Sequence, residues 1–68
     1  MNYSPKNLIS LLEQKGYVLR RVTGGHHIFY HKELKKIVVV PVHGNKDIPK
    51  GTFMSILKQA GITRDELK

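Results

Sequence analysis

Nine residues, Thr23-Gly24-Gly25-His26-His27-Ile28-Phe29-Tyr30-His31, hold three of the chain's four histidines, two of its five aromatics and a pair of adjacent glycines. Histidine is the side chain whose unperturbed titration lies nearest neutral pH, so a histidine on a rigid edge is a candidate acid or base. One imidazole suffices to cleave RNA without a metal, because the substrate brings its own nucleophile in the 2′-hydroxyl. The protein then has only to move protons and stabilise charge on the phosphate. His26 suits this chemistry, since the bare backbone of Gly24 and Gly25 lets a phosphate come close. Arg20, Arg21, Lys35, Lys36, Lys46 and Lys50 are candidate phosphate partners, and Tyr30 offers a ring on which a base can stack. The plain alternative is that His26 is a strand-edge histidine without chemistry. A zinc site built on His27 and His31 fails on geometry: four residues apart on a strand they stand ~13 Å apart, too far to share one ion.

The elements that must position these residues are marked by periodicity and punctuation. Ser4-Pro5 ahead of Leu8, Leu11 and Leu12 predicts a helix over Pro5–Lys15, with serine as cap, proline in its first position and Gly16 as its stop. The three leucines face inward. Period-two alternation predicts a strand over Tyr17–Val22, with Tyr17, Leu19 and Arg21 on one face and Val18, Arg20 and Val22 on the other. The glycine pair turns the chain into a second strand, His26–His31. With Phe29 inward, His26 and Tyr30 point outward, while His27 and His31 lie toward the helix side near strand ends where a polar tip still reaches water. Lys32-Glu33-Leu34-Lys35 is a polar connection. A third strand over Lys36–Val42 carries Ile37-Val38-Val39-Val40, a run suited to a central or well-covered position. His43 to Lys50 reads as a loop, and the stripe Phe53, Ile56, Leu57, Ala60 predicts a helix over Lys50–Ala60 that stops at Gly61. Thr63-Arg64-Asp65-Glu66 has the form of a capping box and predicts one more helical turn.

This order is α-β-β-β-α, an α+β fold in which a three-stranded antiparallel sheet carries both helices on one face. The other face is left open. Sixty-eight residues fit one domain, residues 1–68, with a small core. A chain of this size buries roughly 60% of its unfolded surface, so its stability is modest. Without cysteine it forms no disulfide and no thiolate metal site, and nothing points to secretion. It has neither a ~20-residue apolar run nor a signal-peptide layout at its N-terminus, which leaves the cytoplasm as the expected location. Twelve Lys and Arg against five Asp and Glu give a net charge of +7. Charge of this size either serves solubility or meets an acidic partner, of which nucleic-acid phosphate is the commonest. A membrane surface is the weaker match, because the cations do not gather on one amphipathic helix.

Four motifs in sequence carry a family resemblance. They are Gly24-Gly25-His26; Val40-Pro41-Val42-His43; Gly44-Asn45-Lys46 with Ile48-Pro49-Lys50-Gly51-Thr52; and Ile56-Leu57-Lys58-Gln59-Ala60-Gly61-Ile62. In this order and spacing, over nearly the whole chain, they resemble the HicA toxins. The resemblance implies a fold like the double-stranded RNA-binding domain. It also implies a metal-independent, cofactor-free ribonuclease that cleaves messenger RNA, arrests growth and is held inactive by a HicB antitoxin. The family's catalytic histidine falls on His26, its glycine on Gly24, and a position often held by histidine on His43. Where the family usually has serine, this chain has Gly25. Two other readings use the same basic sheet: a non-catalytic RNA-binding module, and a module that docks an acidic protein. In each of the three the His26 face is the working surface.

Overall fold

The structure is a computed structural model that describes residues 1–63. Its first element, α1 (Pro5–Lys15), begins as the capping residues dictate. The Ser4 backbone is extended at φ −69°, ψ 151°, and its hydroxyl accepts the Asn7 N–H at 3.1 Å. Proline in the next position surrenders an N–H that has no partner inside a helix anyway. At the other end Gly16 takes φ 109°, its N–H bonds the Glu13 carbonyl at 3.0 Å, and the Tyr17 N–H bonds the Leu12 carbonyl at 2.9 Å. That left-handed turn is what releases the chain from the helix.

Three strands follow, β1 (Val18–Thr23), β2 (His26–His31) and β3 (Lys36–Pro41), and then α2 (Lys50–Ala60). Both strand pairs are antiparallel and the sheet order is β1-β2-β3, so the α-β-β-β-α, α+β architecture expected from periodicity is the one observed. Leu8 and Leu12 of α1 and Phe53, Ile56, Leu57 and Ala60 of α2 close over Phe29, Val38 and Val40 of the sheet in one core. Leu11 is only partly buried at its rim. Each large apolar side chain enclosed there contributes roughly 1.5–3 kcal/mol of transfer free energy. Tyr3 joins the core edge-on to Phe53, with ring centroids 5.2 Å apart, and its carbonyl accepts the Ile48 N–H at 2.8 Å.

The first strand differs from the expectation. It starts at Val18, because Tyr17 is drawn into the core, where its hydroxyl donates to the Ala60 carbonyl at 3.0 Å. A register shift between Leu19 and Arg21 then leaves Arg20 without a partner opposite and breaks the alternation. Leu19 and Val22 pair with the inward Phe29 and His27, while Val18, Arg21 and Thr23 pair with the outward Tyr30, Ile28 and His26. Such a bulge places two residues against one and reverses the faces that follow.

The third strand ends at Pro41, one residue earlier than its pattern suggests, and it lies at an edge of the sheet, not at the centre. Short connections make sequential strands neighbours, so the middle strand of the chain is the middle strand of the sheet. Its valine run is covered on one side only: Val38 and Val40 are buried, whereas Ile37 is 58% and Val39 43% exposed on the open face.

His31 also departs from the expected half-solvated strand end. It is buried, its Nε2 donates to the Lys15 carbonyl at 3.1 Å, and its Nδ1 accepts the Leu34 N–H at 3.1 Å. Those partners fix the tautomer and use both ring nitrogens, so His31 ties the end of α1 to the β2–β3 turn. The capping-box segment Thr63-Arg64-Asp65-Glu66 extends outside the described residues.

Candidate active site

The hairpin between β1 and β2 is as short as a hairpin allows: Thr23 pairs with His26, leaving only Gly24 and Gly25 to turn the chain. Gly24 sits at φ 56°, the left-handed conformation such turns demand. Gly25 sits where space is tight, so a side chain there would push its neighbours by a few tenths of an ångström. A Cβ there would lie 3.2 Å from the Val42 carbonyl oxygen and 3.3 Å from Cε1 of His43. The Gly25 carbonyl accepts the Val42 N–H at 2.7 Å, extending the β2–β3 ladder one step past Pro41, which has no N–H to give. His43 is thereby held against the turn, so Gly24, Gly25, His26 and His43 come together at one end of the sheet.

His26 is exposed on the open face, between Thr23 and Pro41. It stands at the mouth of a groove of about 510 Å³. One wall of that groove is the outer row of β3, Ile37, Val39 and Pro41; the other is α2, through Gly51, Thr52, Ser55 and Gln59. No side chain caps the first turn of α2, since its N-cap is Pro49. The leading N–H groups of a helix carry partial positive charge and have no intrahelical partner. A second hollow, about 380 Å³, lies against α1 among Leu11, Gln14, Lys15 and Ile62, away from the histidine turn.

The cations expected to serve this site are spread over the molecule. Lys50 opens α2, directly before the groove-lining Gly51 and Thr52, and Lys46 lies in the exposed loop where its N–H bonds the His43 carbonyl at 3.2 Å. Arg21 shares the open face, opposite Ile28. The Arg20 guanidinium lies over the Tyr30 ring, 5.2 Å from its centroid, so one face of that ring is already occupied. Lys35 and Lys36 stand apart from His26: Lys36 pairs with His31 and Pro41 with His26, which separates them by five residues, ~17 Å along the strand. His27 faces the helix side, half-buried, and its Nδ1 is buried without a hydrogen-bond partner among the described residues. Among those residues no three His, Cys, Asp or Glu side chains are grouped to hold a metal ion, and no helix is long and apolar enough to cross a membrane.

Sequence reasoning overlooked the α2 wall. Thr52, Ser55 and Gln59 recur at i, i+3 and i+7, a polar row beside the apolar stripe of Phe53, Ile56 and Ala60. The spacing was readable; that the row faces His26 follows only from packing α2 along the β3 edge.

None of the curated proteins matches the chain. A family model does, over residues 5–62: the HicA toxin of bacterial toxin–antitoxin. The match runs from the first residue of α1 to the residue after the α2 stop, and so takes in the histidine turn, the Pro41-Val42-His43 strand end and the groove. The chain belongs to the HicA family of toxins, one half of a toxin–antitoxin pair.

Proposed function

We propose that this toxin is a metal-independent endoribonuclease acting on messenger RNA in the cytoplasm, with His26 as its general acid and base, and that a HicB-like antitoxin inhibits it. The observation that carries the reading is the setting of His26: an exposed imidazole directly after Gly24-Gly25, at the mouth of an open groove on the uncovered sheet face.

In the proposed reaction a neutral His26 takes the proton of the 2′-hydroxyl. That oxygen attacks the adjacent phosphorus, the O2′–P bond forms and the P–O5′ bond breaks. The imidazolium returns its proton to the departing O5′, leaving a 2′,3′-cyclic phosphate and a free 5′-hydroxyl. The bare backbone of Gly24 and Gly25 gives the phosphate room. Lys46, Lys50 and Arg21 attract the phosphates near the turn, with His43 beside Gly25. Arg20, Tyr30, Lys35 and Lys36 meet the strand further along the sheet.

Replacing His26 with alanine should abolish cleavage of RNA in the presence of chelator, a loss of at least a hundredfold in rate, and should abolish growth arrest. Because His26 is exposed, the variant keeps its fold, as circular dichroism will report. Equal cleavage by both proteins would remove the mechanism. The Arg20–Tyr30 stack favours a second reading, a non-catalytic RNA-binding module, since it is a binding feature independent of His26. RNA bound by the wild-type protein and recovered intact would select it.

A further inference from the structure

We infer that the groove between β3 and α2 is a nucleobase subsite, which seats the base next to the scissile phosphate and sets the base preference of cleavage. The inference rests on the reading of His26 as the cleaving group, and it assigns work to residues that reading does not use.

The groove begins at His26, so a nucleotide whose phosphate meets that imidazole has its base beside the groove mouth. At about 510 Å³ the space suits one nucleotide. Its two walls differ in chemistry. Ile37 and Val39 are alternate residues of β3, 58% and 43% exposed, and give a flat apolar surface for the face of a base. The opposing α2 wall carries the hydrogen-bonding groups of Thr52, Ser55 and Gln59, beside Ile56.

Two of those groups are already linked. The Gln59 amide nitrogen donates to the Ser55 hydroxyl oxygen at 3.4 Å. The bond leaves three functions for a ligand: the amide oxygen as acceptor, the second amide N–H as donor and the serine O–H as donor. Adjacent acceptor and donor on one amide match the two-point pattern of a base edge. A chain of net charge +7 draws in the phosphates on either side. An apolar floor facing a polar, uncharged wall, with a proton-transfer group at one end, fits a nucleotide of single-stranded RNA.

The test is cleavage of a random-sequence RNA pool by the full-length wild type and by Ser55→Ala, Gln59→Ala and, as control, Gln14→Ala. Gln14 makes the same kind of exposed i, i+4 bond, to Ser10 at 3.2 Å, on the other helix. The wild type should prefer particular bases at one position flanking the cut. Ser55→Ala and Gln59→Ala should reduce that preference about tenfold, at that position alone, with unchanged melting temperature. Gln14→Ala should leave it intact. An unchanged base profile in both groove variants, or no base preference in the wild type, overturns the subsite while leaving the ribonuclease reading standing. Groove substitutions that weaken only antitoxin binding overturn it too, by giving the groove to a protein partner. A wild type that leaves all RNA intact removes both.

Discussion

Gly16 ends α1 at φ 109°, and a Cβ added there would lie 2.8 Å from Nε2 of His31, the atom that donates to the Lys15 carbonyl. One glycine thus meets two demands, a left-handed backbone and room for a buried imidazole. Gly16→Ala should cost about 2 kcal/mol or more, read as a lowered urea midpoint. In a His31→Ala background the steric part vanishes and the same substitution should cost less, leaving the backbone strain alone. Tyr17, edge-on to the same imidazole, adds a pH-dependent contribution. Burial raises its hydroxyl pKa above the ordinary 10.0, opposed in part by the charge of Lys15. Above pH 10 the unfolded chain releases this proton while the folded chain keeps it, so stability falls as pH rises through that range. Tyr17→Phe should lose about 1 kcal/mol near neutrality, with the Ala60 hydrogen bond, and should show a shallower alkaline decline in thermal melts. A parallel decline in the two proteins would mean that the buried hydroxyl is not its source.

The two helices begin differently. α1 has a serine cap bonded to Asn7, whereas α2 follows Pro49 with no side-chain cap and turns its first residues toward the groove. Ser4→Ala should therefore lower stability by about 1 kcal/mol and leave RNA cleavage per folded molecule unchanged, measured by melting and by a cleavage assay on one sample. Both helix spans were legible in the sequence, because Ser4-Pro5, Gly16 and Gly61 act on the backbone next to them and need no tertiary partner. Alternation sorted β2 into two faces, but each holds an aromatic and a histidine, so the pattern alone did not say which is covered; Phe29 is the buried one, and His26 lies outside. What escaped reading depended on residues distant in the chain. The bulge at Arg20 has no local mark, since the consecutive arginines keep their polarity on either face. The anchoring of His31 comes from a carbonyl sixteen residues upstream. Gly25 was legible as a turn residue, but the closeness of His43 to it arises from the ladder running on through Val42. The groove needed β3 at the edge with α2 beside it, and neither element states that alone.

At the scale of the molecule, the helices cover one sheet face over β2 and β3 but leave Leu19 and Val22 of β1 44% and 52% exposed, and the open face exposes Val18 at 67%, Ile37 at 58% and Val39 at 43% among the arginines of β1. A partner covering this face must satisfy apolar surface and cations together. RNA satisfies the second mainly, through phosphate contacts whose counterion release makes log affinity fall with log salt by about 0.7 per contact on a single strand. An antitoxin protein docked on this face would bury the apolar residues as well, and apolar burial is not screened by salt. The two ligands should then compete for the His26 face yet respond differently to ionic strength. With labelled RNA bound to the His26→Ala protein, rising antitoxin should displace the RNA without a ternary complex. Raising salt tenfold should weaken RNA binding far more than antitoxin binding, so the inhibited complex persists where the RNA complex does not. A ternary complex on size-exclusion chromatography would place the antitoxin on another surface. Equal salt slopes would mean that it too is held by charge, with Val18, Ile37 and Val39 left uncovered.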